Sequence, residues 1–413
     1  MVPKLRFESY FDNWFSNKLS DLAVDNTLSN GVFNDPLNVG SGYKLINVVN
    51  MYKEPCIDEN DLSLLNLDEK TFRKNQVFFG DIFFTRSSLV KEGIAWSNIY
   101  LGHSKDVTFD GHLIKLTPNL KKINPKFLYF CLKTSLIRKQ LIESGKTATM
   151  TTIGQSDVGK TLAFIPQLKE QTKIANFLSS VDERITLLNK QYDLLCQYKK
   201  GMMQRVFSQE VRFKGSTPWK SENLFGLAVN NTLTNGVFND PMNTGSGYKL
   251  INVVNMYKEP YIDENDLTLL NLDEKTFNKN KVKNGDIFFT RSSLVKEGIA
   301  WSNIYLGNSD DVTYDGHLIK MTPDKTKVFP QFLYYCLKTS QVRSQLIKGG
   351  KTATMTTIGQ DDVGKTSLHI PSLNEQIKIA NFLSAIDDKI TTKKIQLDKL
   401  KTWKQGLLQQ MFV

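Results

Sequence analysis

Apolar residues recur in alternating steps of four and three along two proline-free stretches, Gln171 to Phe207 and Gln376 to Phe412. In the first they are Ile174, Leu178, Val181, Ile185, Leu188, Tyr192, Leu195, Met202 and Val206. The second repeats them with Ile379, Leu383, Ile386, Ile390, Leu397, Leu400, Leu407 and Met411. This spacing is the seam of a coiled coil. A helix of about 37 residues spans roughly 55 Å, and two helices with one apolar seam each are natural partners. Lys199 and Lys404 hold equivalent seam positions, where a polar residue sets register more than it adds stability.

Outside these stretches the pattern shortens to β-like runs. YKLINVV from Tyr43 reads as a buried strand, and GDIFFTRSS from Gly80 as a turn entering an aromatic strand with a polar tip. SNIYLG and HLIKLTP continue the strand pattern. NPKFLYFCLKTSLIRKQLIES predicts one amphipathic helix over 124–144, with Asn124 as N-cap before Pro125. GKTATMTTIGQSDVG from Gly145 follows as a polar loop, and LAFIPQLKEQ leads into the long helix.

The whole unit is then written again. NTLSNGVFNDPLNVGSGYKLINVVNMYKEP from Asn26 recurs from Asn231 as NTLTNGVFNDPMNTGSGYKLINVVNMYKEP, without a gap through both long helices. Roughly four positions in five match across the globular part, and fewer in the helices. A repeat this long is a domain, not a solenoid element. The boundaries expected are a globule over 1–165, a long helix over 166–210, a second globule over 211–370 and a closing helix over 371–413.

Charge and chemistry narrow the reading. A net charge of +11 points to a polyanion, nucleic acid before membrane. Cys56, Cys131, Cys196 and Cys336 have no paired spacing and fit reduced thiols in a cytoplasmic protein. No run approaches a membrane span. No phosphate loop, dinucleotide fingerprint, nuclease carboxylate pair or methyltransferase Asn-Pro-Pro-aromatic motif is found, so the chain reads as a binder without catalytic residues. No metal site is expected: His112 and His317 recur without partners at ligand spacing and read as core or strand-edge residues. The acidic run IDENDL reads as a solvated turn.

Side chains suited to DNA gather in three segments. They are Arg86, Ser87, Ser88 and Lys91; Tyr43, Lys44, Asn47 and Asn50; and Lys146, Thr147, Thr149, Thr151, Thr152 and Gln155. The second copy offers Arg291, Ser292, Ser293 and Lys296; Tyr248, Lys249, Asn252 and Asn255; and Lys351, Thr352, Thr354, Thr356, Thr357 and Gln360. Each residue taken singly suits a surface bond as well as a base. The copies differ where Phe78 and Phe79 become Lys283 and Asn284, which requires that stretch to be exposed.

PKLRF with Trp14, VRF with Trp219, the doubled GDIFFTRSS, and IPQLKEQTKIANFLSSVDERI answered by IPSLNEQIKIANFLSAIDDKI carry a family resemblance. The chain resembles the specificity subunits of type I restriction–modification systems over essentially its whole length. The resemblance implies an α+β chain of two α/β target-recognition domains in tandem, each followed by a long helix. The helices would pair as an antiparallel coiled coil with pseudo-twofold symmetry.

The family also implies a non-catalytic subunit that places two modification (methyltransferase) subunits, and restriction (motor-nuclease) subunits, on double-stranded DNA. S-adenosylmethionine, ATP and magnesium then belong to those partners, and no cofactor to this chain. The departure is the near identity of the two domains, since family members usually carry two different ones. Like readers on an antiparallel pair imply an interrupted inverted repeat, with the helices as ruler. Phe177, Phe382 and Trp403 on outer helix faces suggest docking surfaces for modification subunits. The competing reading is a basic coiled-coil scaffold that binds RNA or protein; a strong decline of DNA affinity with salt, together with preference for one DNA sequence, separates the two.

Overall fold

The computed structural model describes residues 2–33, 36–214, 216–238 and 241–412. Contacts divide the chain into two units: Met1–Gln191 with Lys394–Val413, and Tyr192–Lys393. Each long helix is thus shared out, its first half packing in one unit and its second half in the other.

Unit 1 holds β1 (Phe15–Lys18), β2 (Ser29–Asn30), β3 (Val39–Ile46), β4 (Ser63–Leu65), α1 (Glu69–Lys74), β5 (Ile82–Thr85), β6 (Ser87–Ser88), β7 (Ser97–Ile99), β8 (Val107–Phe109) and β9 (Leu113–Leu116). Then come α2 (Pro125–Leu132), α3 (Ser135–Glu143), β10 (Lys146–Thr147), β11 (Thr151–Thr152), α4 (Gln155–Gly159), β12 (Leu162–Ile165) and the long helix α5 (Leu168–Phe207). The main sheet runs β2-β9-β5-β7, a second runs β4-β3-β8, and β1 pairs with β12. Unit 2 repeats this plan and ends in the start of the C-terminal helix, Leu373–Met411.

Strand β5 shows why the aromatic run is needed. Its Ile82 and Phe84 face a core built with α2, while Phe83 faces a second core with Ile46, Phe109 and Leu113. A strand covered on both faces has no polar alternation, and each buried phenylalanine contributes about 2–3 kcal/mol. Gly80 makes the entering turn at φ +93°, where a Cβ would also lie 3.0 Å from Pro125.

Two expectations change. The helix over 124–144 is two helices, because Thr134 adopts an extended N-cap conformation and its hydroxyl donates to Cys131 O at 2.7 Å. The run IDENDL is more than a solvated turn: the Glu59 carboxylate accepts from Tyr100 Oη at 2.8 Å and from the His103 and Ser104 amides.

The Glu-Gln pair at the start of each long helix fixes it to its globule. Gln171 is 1% exposed; it accepts from Asn124 N at 2.8 Å and donates to Pro166 O at 2.8 Å. Glu170 takes a two-point bond from Arg6, at 2.7 and 2.8 Å. In unit 2 Gln376 repeats both bonds with Phe329 N and Pro371 O, while Glu375 accepts from Trp219 Nε1 and Thr217 N at 3.3 Å, with Arg212 3.6 Å away. The lead-in motifs are therefore straps. Phe7 packs edge-on to Phe177, and Phe213 to Phe382, so both helix phenylalanines are half-buried rather than the exposed docking residues expected.

In unit 1 the far end of the C-terminal helix closes the core. Phe412 packs on Trp14 and Phe127, and Leu407 and Met411 are buried with them. The first half of α5 and this last half are anchored to one globule by opposite ends, so within the unit they run antiparallel. The seam residues of both helices are all buried or half-buried. Across the seam Lys404 Nζ lies 2.5 Å from Asp182 Oδ1, with side chains 15% and 10% exposed. In unit 2 Lys199 and Asp387, the equivalent residues with helices exchanged, meet at 2.6 Å. Lys404→Ala strands a largely buried carboxylate and is expected to destabilise unit 1 by about 3 kcal/mol. Lys404→Met combined with Asp182→Leu should recover most of that in denaturant titration. A single-variant loss below about 1 kcal/mol, the surface-pair range, contradicts the assignment.

Candidate nucleic-acid interface

The structure joins two of the three candidate segments. The polar loop expected after α3 is a hairpin, β10–β11, and β11 pairs with β6 so that Ser87 faces Thr152 and Ser88 faces Thr151. Around this small sheet the backbone is pinned on both sides of Arg86: its amide donates to His112 O at 3.0 Å, and its carbonyl accepts from Ile153 N at 3.0 Å. The Arg86 guanidinium donates to Gly111 O at 2.9 Å. Arg86, Ser87, His112, Lys146, Thr152 and Asp157 share the wall of one recess. Lys146, Thr147, Thr149 and Thr152 are exposed on the hairpin, and Gln155 is half-buried at the start of α4.

The loop after β6, which carries Lys91, is held from below by α3. Arg138 donates to the carbonyls of Glu92, Ile94 and Ala95 at 2.7–2.8 Å. Burial lowers its pKa from the ordinary arginine value, yet a guanidinium stays charged. Lys133 lies 4.4 Å over the Trp96 ring, where burial pushes its pKa down to about 8 against the pull of Glu54. Cations buried under the loop hold its carbonyls, and leave the exposed lysines for another partner.

Unit 2 builds the same surface. Arg291 donates to Gly316 O at 2.9 Å, its amide to His317 O, and its carbonyl accepts from Ile358 N. Ser292 and Ser293 pair with Thr357 and Thr356, while Lys351, Thr352 and Thr354 are exposed and Gln360 is half-buried. Lys296 sits in the loop held by Arg343.

Other candidates are occupied elsewhere. Thr151 and Thr356 are 1% exposed and bond to Thr147 and Thr352, so they support the hairpin and present nothing outward. Asn50 and Asn255 are 2% exposed caps, accepting from the amides of Asn47 and Asn252. Asn47 and Asn252 cap the same short helical turns. Tyr43 stacks on Phe72 and Tyr248 on Phe277, each at 3.7 Å, and Lys44 and Lys249 donate to Ser104 and Ser309 at 2.7 Å. The Tyr43 segment belongs to the second sheet and its polar groups serve that sheet's loops.

His112, expected in the core or at a strand edge, is on the surface. Its ring is 67% exposed, and Nδ1 lies 2.7 Å from the buried Asp110 carboxylate, which leaves Nε2 directed away from that bond. His317 and Asp315 repeat this. The only sequence hint is an Asp two residues before each His. Phe78 and Phe79 are 55% and 52% exposed, as their replacement by Lys283 and Asn284 requires. Among the described residues no group of three metal-ligating side chains is present, and no helix is long and apolar enough to cross a membrane.

Comparison with known proteins accords with this architecture. The family model for the type I restriction modification DNA specificity domain matches residues 32–197 and 240–402. The chain is 24% identical over 388 residues to the type I restriction enzyme MjaVIII specificity subunit of Methanocaldococcus jannaschii, covering 90% of this chain and 82% of that one. It is 23% identical over 270 residues to the EcoKI specificity subunit of Escherichia coli, covering 63% and 58%. Its fold is similar to the crystal structure of a type I restriction–modification S subunit from M. genitalium, with TM-score 0.60, 16% identity and coverage of 100% and 99%. These matches do not favour the scaffold reading. With both matched segments together spanning most of its length, the chain belongs to the type I restriction modification DNA specificity domain family.

Proposed function

We propose that this chain is the sequence-reading, non-catalytic subunit of a type I restriction–modification complex, and that its two units read the same short DNA sequence. The observation that carries this reading is the doubled surface: Arg86 with Ser87, Lys146 and Thr152, and Arg291 with Ser292, Lys351 and Thr357, on the same scaffold in both units. A guanidinium and hydroxyls at a pinned strand tip suit base edges, and exposed lysines on the adjoining hairpin suit phosphates. The net charge of +11 adds the long-range attraction.

The target is then bipartite, with two like half-sites around an unread spacer. We take the order as inverted rather than direct, as the antiparallel helix pairing of the family resemblance implies. The partners are double-stranded DNA, two modification subunits and the restriction subunits. S-adenosylmethionine, ATP and magnesium act on those partners, and the long helices supply the surface that receives them. Exposed Trp403, 49% open beside Phe177, remains available for that contact.

Lys146→Ala with Lys351→Ala is expected to weaken specific and random duplex alike. In the complex with modification subunits, the slope of log affinity against log salt should shrink by about 2. Both lysines are exposed, so thermal stability should hold. An unchanged slope removes the lysines from the interface. Arg86→Ala with Arg291→Ala should relax discrimination at one base position, the same in both half-sites, by about 1–3 kcal/mol. Discrimination competition assays that show relaxation in one half-site only would contradict shared reading.

A further inference from the structure

The two units differ most sharply in what fills one cleft beside the long helix. In unit 2, Tyr261 lies across it. Its Oη is 3.0 Å from Tyr335 Oη, its ring meets Tyr334 edge-on at 5.4 Å, and Tyr335 Oη donates to Asp387 at 2.7 Å. In unit 1 the equivalents are Cys56 and Phe130. Part of the wall is kept: Tyr129 donates to Pro55 O as Tyr334 does to Pro260 O, and Asp182 meets Lys404 as Asp387 meets Lys199, whereas Lys126, Ser180 and Glu183 become Gln331, Ala385 and Asp388. What results in unit 1 is an open cleft of about 570 Å³, lined by Cys56, Tyr129, Phe130, Ser179, Asp182 and Glu183 among others.

We propose that this cleft receives the phenol ring of a tyrosine from another polypeptide, in the place that Tyr261 fills in unit 2. The volume lies within the range of small-ligand clefts. Tyr129 offers the same ring edge that Tyr334 offers Tyr261. Asp182 is 8% exposed and lines the cleft, and its counterpart Asp387 accepts from the Tyr335 hydroxyl, which Phe130 lacks; a phenol O–H, directly or through one water, would give Asp182 the kind of donor that Asp387 has. The neighbouring helix face favours a ring carried on a chain over a free small molecule. Leu187 lines the same cleft and is 54% exposed, where unit 2 has Thr392. Unit 1 alone therefore presents apolar surface beyond the ring itself, where the backbone bearing it would lie.

In two units that match at roughly four positions in five, six changes along one cleft give the halves different chemistry. A contact that only unit 1 accepts would let a partner distinguish two otherwise equivalent halves. This inference is independent of how either unit reads DNA.

The test uses the full chain with p-cresol, N-acetyltyrosinamide and toluene as probes, followed by ligand-detected NMR. Both phenols should bind the wild type, and toluene roughly tenfold more weakly for want of the hydroxyl. Cys56→Tyr should fold its new ring into the cleft, leave the chain folded and abolish binding of both phenols. Absence of binding, or binding undiminished by Cys56→Tyr, overturns the proposal. Binding of p-cresol without the capped tyrosine overturns the polypeptide source.

Discussion

A lysine and a carboxylate placed in an apolar seam constrain more of this chain than any other contact. Desolvating Lys404 and Asp182, or Lys199 and Asp387, costs several kcal/mol per ion, and close pairing is what offsets it. A shift of either helix by one residue would separate the charges and leave both buried. The pair therefore sets register, while Leu178, Val181, Leu383 and Ile386 supply the affinity. Because each pair joins the first half of one helix to the last half of the other, unit 1 is assembled from two separate pieces of sequence. The core around Trp14 is complete only when Phe412 arrives from the chain's far end.

That constraint explains the motifs at the helix starts. Gln171 satisfies the amide of Asn124 and the carbonyl of Pro166, and Arg6 neutralises Glu170, so the helix leaves its globule at a fixed angle. Gln376 repeats both glutamine ties in unit 2, and there Trp219 and Thr217 hold Glu375. Rigid exit geometry at both globules is what a subunit needs if helix length is to decide which DNA sites count as one target.

The reading of the sequence succeeded where periodicity or repetition carried the signal. The seam from Ile174 to Val206 repeats often enough to be unmistakable, and every seam position is at least half-buried. Two-residue strands carry no period, so the hairpin of Lys146–Thr147 and Thr151–Thr152, and its pairing with Ser87–Ser88, were not legible. Composition alone does not distinguish an asparagine that caps a turn, such as Asn50, from one free to meet a base. Burial does. The break at Thr134 went unread because a hydroxyl that competes for a helical carbonyl leaves no mark on the apolar periodicity. Phe177 looked outward because the strap that covers it, Phe7, lies 170 residues away.

The central claim is that duplicated readers select duplicated half-sites. Single-molecule mapping of modified bases, in a host carrying this chain with its modification subunits, tests it most directly. The account predicts one motif made of two inverted copies of a single half-site around a spacer of fixed length. Two unrelated half-sites would contradict it.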